Sequence, residues 1–195
     1  MNVMAQMQQQ EDKLALGPKK FNMWIFIFTS FMFFAALTSG FIVYSGGRGH
    51  GINMVLPSAF MYSTITIVIS SITMFMASKS AKALQFDKQR LYLILTLVLG
   101  VLFFVIQLYG WSQMIKMGVY FINNNASQSF IYVFTAMHLI HIIAGLLLIA
   151  NTLRGSYKNV PQVKNLFGME MSSIFWHFVD IIWIYLYVFL LLNQY

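Results

Sequence analysis

The amino-acid sequence predicts an all-α integral membrane bundle of five transmembrane helices. Composition is the first ground: of 195 residues, 59% are hydrophobic and only 9% charged, against about 45–50% and about 25% in soluble domains. Mean hydropathy is +0.71. The second ground is length, because five apolar stretches each approach the roughly 20 residues that cross a bilayer core of about 30 Å. The absence of cysteine excludes disulfides, thiolate metal sites and thiol catalysis. The net charge of +7 is too diluted along the chain to read as a nucleic-acid surface.

The spans are expected at about 21–44, 56–77, 91–114, 130–152 and 172–192. None alternates like a membrane strand, and each is too long for a soluble core helix. A polar, Gln- and Met-rich head precedes the first, with no clear apolar period and no signal-peptide layout. It is expected as a loosely ordered tail over residues 1–20, and residues 21–195 form the transmembrane domain. In the first span, Ala36 and Gly40 make a small-xxx-small pair suited to close helix contact, and a glycine-rich turn (Ser45–Gly51) follows. The second span is rich in hydroxyls, from Ser63 to Thr73, which bond to their own helix or bridge to neighbours. A basic loop, Ser78–Arg90, leads to the third span. An Asn-rich loop, 116–129, leads to the fourth, and a loop over 154–168 to the fifth. Trp24, Tyr109 and Trp111 sit near span ends as interfacial anchors. Trp176 and Trp183 lie further in and are expected to face a partner or lipid tails.

Ten of the twelve Lys and Arg fall on one side of this arrangement, and only Arg48 and Lys116 on the other. Basic loops stay cytoplasmic, so the N-terminus is expected in the cytoplasm and the C-terminus in the periplasm. Ionisable groups inside spans are expensive and point to function. They are His138 and His141 in the fourth span and His177 and Asp180 in the fifth, with Glu170 at its mouth. At 100° per residue, Glu170, Ser173, His177 and Asp180 share an arc of roughly 80°. Depth arithmetic leaves a contact open between Asp180 and His141 or His138. The seam reads as interhelical polar glue, with a proton relay or metal site as the sharper alternative. No metal site is expected, because no Glu-x-x-His motif completes a diiron set and the methionines do not cluster.

The last span carries a more specific signal. Gly168–Val188 reads GMEMSSIFWHFVDIIWIYLYV, with Glu170, Trp176, His177, Phe178, Val179, Asp180 and Trp183 in fixed order. It resembles the signature of subunit III of the haem–copper respiratory oxidases. Met137–Leu148 is similar to that family's His-x-x-His-x-x-x-Gly helix, and Leu95–Trp111 to its Gly-and-Gln helix, with Gly100 and Gln107 in place. Asn22–Leu37 resembles the family's Glu-bearing helix. The chain thus resembles the five-helix bacterial form. It departs at Ser30 and Gly110, where the family carries carboxylates. Any role given to the first of these carboxylates, at Ser30, therefore cannot be transferred, which weakens a direct proton-handling role for this subunit.

The resemblance implies a non-catalytic subunit III of a cytochrome c oxidase in the bacterial inner membrane. Such a subunit belongs to an enzyme but carries no catalytic site, haem or copper of its own. Those cofactors are expected in partner subunits: subunit I as the main contact, and subunit II, with a larger respiratory supercomplex left open. Its implied roles are stabilising subunit I, holding phospholipid, and supporting oxygen access and proton uptake. A quinol-oxidase subunit III and an accessory subunit of a nitric-oxide reductase remain alternatives within the family. A proton-coupled transporter using Asp180 and the histidines, or a haem-bearing quinone enzyme, would be a different class.

Overall fold

The computed structural model describes residues 3–48, 52, 54–122, 125–157 and 162–194, with side chains in α1 described for residues 16–46. Five α-helices make up the architecture: α1 Val3–Arg48, α2 Ser58–Lys82, α3 Phe86–Lys116, α4 Ala126–Tyr157 and α5 Gln162–Leu192. All five are long and apolar enough to cross a membrane, and no strand occurs among the described residues. Each runs past its expected span, because an apolar count stops where Lys, Gln and Ser begin, whereas those residues remain compatible with a helix. The expected basic loop at Ser78–Arg90 accordingly shrinks to Ala83–Gln85. The irregular head also differs from expectation, since helix begins at Val3 in a segment of good helix formers that carries no apolar period. Of the expected glycine-rich turn, Ser45–Arg48 belong to α1, and Gly49–Gly51 lie outside the described residues. So do Lys158 and the side chains of Lys13 and Arg48.

Two helices end in the same cap. After α2, the N–H of Gln85 bonds the Ser80 carbonyl and that of Leu84 bonds Ala81. After α3, Val119 bonds Met114 and Gly118 bonds Ile115. This is the Schellman pattern, which needs a left-handed residue just past the helix. Gly118 supplies it at φ 81°, and Leu84 adopts it at φ 59°, at a cost of about 1–2 kcal/mol for a side chain in that region.

Helices α2 to α5 form a ring in which each packs on the next, and α5 closes back on α2. Helix α1 stands outside the ring against α5 and α4 and does not pack on α2. It buries the stripe Ser30, Phe34, Thr38 and Phe41, the spacing of one helix face. The pair Ala36 and Gly40, expected to meet another helix, instead faces outward with nothing within 4 Å of a Cβ built on Gly40.

The ring closes on one side chain. Trp176 of α5 is fully buried, contrary to its expected contact with a partner or lipid. Its ring lies over Gly100 of α3 and Gly145 of α4, where an added Cβ would come within 2.7 Å and 2.9 Å of ring carbons. Its indole N–H donates to Ser70 Oγ of α2 at 3.1 Å. One residue therefore touches three neighbouring helices. Trp183, two turns on, is buried in the same manner and donates to Thr64 at 3.0 Å.

Gly145→Ala and Gly100→Ala should each cost about 1–3 kcal/mol, the usual penalty of overpacking. The cost would be read as a lower thermal midpoint in mild detergent. Gly40→Ala, where a Cβ meets nothing, should not lower that midpoint.

Candidate functional site

The hydroxyls of α2 do both things expected of them. Ser63, Thr64, Thr66 and Thr73 donate to carbonyls of their own helix at 2.8–2.9 Å. They also tie α2 to its neighbours: Thr73 to Thr96 of α3, Gln107 of α3 to Ser63, and Ser71 to His177 of α5. A hydroxyl can bond back to its helix and still accept a second donor. That double capacity suits these residues to an interface without water.

The five residues of the expected polar seam do not form one cluster. Asp180 is buried, with His177 Nδ1 of its own helix 4.0 Å from its carboxylate. Neither carboxylate oxygen has a hydrogen-bond partner. No ion pair links it to His138 or His141, so the contact expected between α4 and α5 is not made. The reason is rotational: the Glu170–Asp180 stripe turns toward α2, and the α4 histidines turn toward α1 and α3. His138 is fully buried between Phe103 and Trp183, ring centroids 5.7 Å and 4.9 Å away, and neither of its nitrogens is bonded. His141 reaches α1, where its Nε2 lies 3.3 Å from Ser30 Oγ, while its Nδ1 contacts the Met137 carbonyl oxygen at 2.8 Å.

The rest of the stripe opens on a cleft. Helices α1 and α2 stand apart over α5, leaving a cavity of about 870 Å³. Lys20, Ser78, Lys82, Glu170, Ser173 and His177 supply its polar groups, and Phe75, Leu166 and Ile174 are among its apolar walls. Lys20 and Glu170 form a half-exposed ion pair across the mouth at 2.5 Å. At the same end of the bundle, Arg90 of α3 donates to the Ser156 carbonyl of α4, and Gln89 exchanges amide bonds with Asn165 of α5. These contacts gather the basic ends of all five helices on one side. Polar side chains therefore line one face of α5 from the charged mouth to the buried Asp180, and His177 on that face is bonded to Ser71 of α2. Among the described residues no group of three His, Cys, Asp or Glu could hold a metal ion.

The two departures from the family pattern have clear packing consequences. Ser30 is buried and bonded to His141. Gly110 is backed by Phe60, whose ring carbon would sit 3.2 Å from a Cβ there. An aromatic ring thus fills space beside the missing second carboxylate.

The family model for cytochrome c oxidase subunit III matches residues 6–194. The chain belongs to this family. Cytochrome c oxidase subunit 3 of Bacillus sp. (strain PS3) is 26% identical over 88% of this chain and 84% of the relative. Cytochrome bo(3) ubiquinol oxidase subunit 3 of Buchnera aphidicola subsp. Acyrthosiphon pisum (strain APS) is 27% identical over 93% and 90%. The protein of Corynebacterium diphtheriae, also a cytochrome c oxidase subunit 3, is 28% identical over 84% and 82%. Subunit III of a haem–copper oxidase, with five helices able to span the membrane, is thus an integral membrane component of a respiratory complex with partner subunits.

Sequence reasoning found Glu170, His177 and Asp180 as one face, because helical period alone fixes it. It missed Ser71, Lys20 and Lys82, which join that face only through packing. The bond between Ser71 and His177 should show a coupling of about 0.6 kcal/mol, the average for interhelical hydrogen bonds in membranes. A double-mutant cycle of Ser71→Ala and His177→Phe, followed by thermal unfolding in detergent, measures it.

Proposed function

We propose that this chain is the non-catalytic subunit III of a cytochrome c oxidase, and that it braces subunit I and holds phospholipid in the cleft between α1 and α2. The observation that carries the reading is the family match over residues 6–194, together with a cleft apolar along its walls and charged at its mouth. Haem and copper then belong to the partner subunits, with subunit I the main contact and subunit II beside it. The basic end faces the bacterial cytoplasm and the C-terminus the periplasm, in keeping with positive-inside orientation.

Each implied role has a physical counterpart. An apolar cleft with ammonium groups at its mouth suits a phospholipid, whose phosphate meets Lys82 and Lys20 while its chains lie along Phe75 and Ile174. Oxygen is apolar and partitions into a lipid-filled cleft, which gives it a route through the subunit. Glu170 at the mouth and His177 within the cleft are groups able to exchange protons near the cytoplasmic surface, which supports proton uptake by the complex. The polar seam of Glu170, His177, Asp180, His138 and His141 serves packing first.

A quinol oxidase is the second reading, favoured by the equally extensive match to a ubiquinol oxidase subunit. Purifying the complex through a tag on this chain separates the two. A haem-bearing partner with a dinuclear copper signal identifies the cytochrome c enzyme. A haem-bearing partner lacking that signal and oxidising quinol identifies the other, and a chain that purifies without any haem protein overturns both.

Asp180→Asn should weaken retention of subunit I and shorten the working life of the oxidase more than it lowers initial turnover. The expected cost is about 1–3 kcal/mol of seam stability, the scale for disturbing a buried polar group. Detergent washes and progress curves under continuous turnover measure the two effects.

A further inference from the structure

The turn between α2 and α3 carries a strained residue that is also exposed. Leu84 sits in the left-handed region at φ 59°, where a side chain is disfavoured and glycine is the usual occupant. Gly118 fills the matching position after α3, so the same cap forms there without strain. Leu84 is 59% exposed, and Phe86, two residues on, is 40% exposed. Leu84 does not belong to the packed core, so burial within the chain does not offset its strain.

Lipid does not account for the exposure either. The apolar spans stop at Ala77 and start again at Leu91, and Leu84 is seven positions from each. At 1.5 Å per residue it stands about 10 Å beyond the hydrocarbon, whereas the headgroup layer is roughly 5–8 Å deep on each side. The turn is also held in one shape. The N–H groups of Leu84 and Gln85 bond Ala81 and Ser80, and that of Gln89 bonds Gln85. Exposed Lys79, Lys82 and Lys88 flank it, and the one acid of the segment, Asp87, faces Arg90 at 3.7 Å.

We propose that Leu84 and Phe86 form a docking peg for a partner subunit of the oxidase, entering an apolar pocket with an acidic rim on that subunit's cytoplasmic surface. The proposal rests on the reading of this chain as subunit III. A strained conformation persists where the group it presents is used, and here it aims a leucine away from its own protein. A turn already fixed by hydrogen bonds loses little freedom on docking. Burial of the leucine supplies affinity, and the surrounding lysines select a pocket edged by carboxylates over one edged by cations. The α1/α2 cleft takes no part in this contact.

The test uses the assembled oxidase in its native membrane. With Leu84 replaced by benzoylphenylalanine, illumination should crosslink this chain to one partner subunit, at a peptide that carries Asp or Glu. Leu84→Gly removes the peg and the strain together. The purified full chain should then unfold in mild detergent at the same temperature or higher, because the cap accepts glycine. The same variant should leave the complex about tenfold faster during detergent washes, roughly the factor that burial of one leucine provides. Leu84→Met, which keeps an apolar side chain, should restore retention. Crosslinks to lipid alone, unchanged retention of Leu84→Gly, or a lowered unfolding temperature for that variant would each overturn the proposal. An unsubstituted chain that copurifies with no oxidase subunit overturns this proposal together with the subunit III reading. A complex that copurifies but gives no crosslink from position 84 overturns the peg alone.

Discussion

The structure depends on a tryptophan seated in a slot made by two glycines. Lipid tails are as apolar as leucine, so membrane helices gain little from burying apolar surface against each other and rely on close packing and polar bonds. Trp176 supplies both. Gly100 and Gly145 let its ring lie against the backbones of α3 and α4, and its N–H is satisfied by Ser70 of α2. The large buried area of the ring is thereby shared among three helices that would otherwise meet only in pairs. The central place of α5 follows from this contact, and the clefts on either side of α1 follow from that place.

Polar groups inside the bundle are handled by small hydroxyls more than by charges. Ser63, Ser70, Ser71 and Thr73 of α2 each serve a neighbour, and several also bond their own helix. An unbonded polar group is costly without water, and a hydroxyl with one donor and two acceptor positions limits that cost. His138, held only by aromatic rings, and Asp180, with both oxygens unbonded, are the exceptions. The carboxylate positions of the family are occupied here by Ser30, which bonds His141, and by Gly110, which is backed by Phe60. At Ser30 the α1 contact is a neutral hydrogen bond, and at Gly110 the ring of Phe60 occupies the neighbouring space.

Helix α1 joins the bundle by a few spaced polar links and a stripe of phenylalanines. Lys20 meets Glu170 at the basic end, Ser30 meets His141 further in, and Thr38 meets Tyr185 at 2.8 Å beyond that. A helix held this way leaves openings on both flanks. Their walls are apolar and basic side chains stand at their mouths.

By itself, the sequence determined the helix count, the expected orientation and the family. Hydrophobic length sets membrane helices almost regardless of their neighbours, and Lys and Arg placement gives the expected orientation. The Glu170–Asp180 face was legible for a similar reason, since the helical period fixes which residues of one helix look the same way. The sequence could not say which helix that face meets, because rotation between helices has no local signature. Only the tertiary structure turned Asp180 away from His138 and His141 and set His177 against Ser71. It likewise placed Trp176 and Trp183 inside the bundle and left Ala36 and Gly40 facing out. Those choices follow from one packing solution, in which Trp176 fits only where Gly100 and Gly145 face each other.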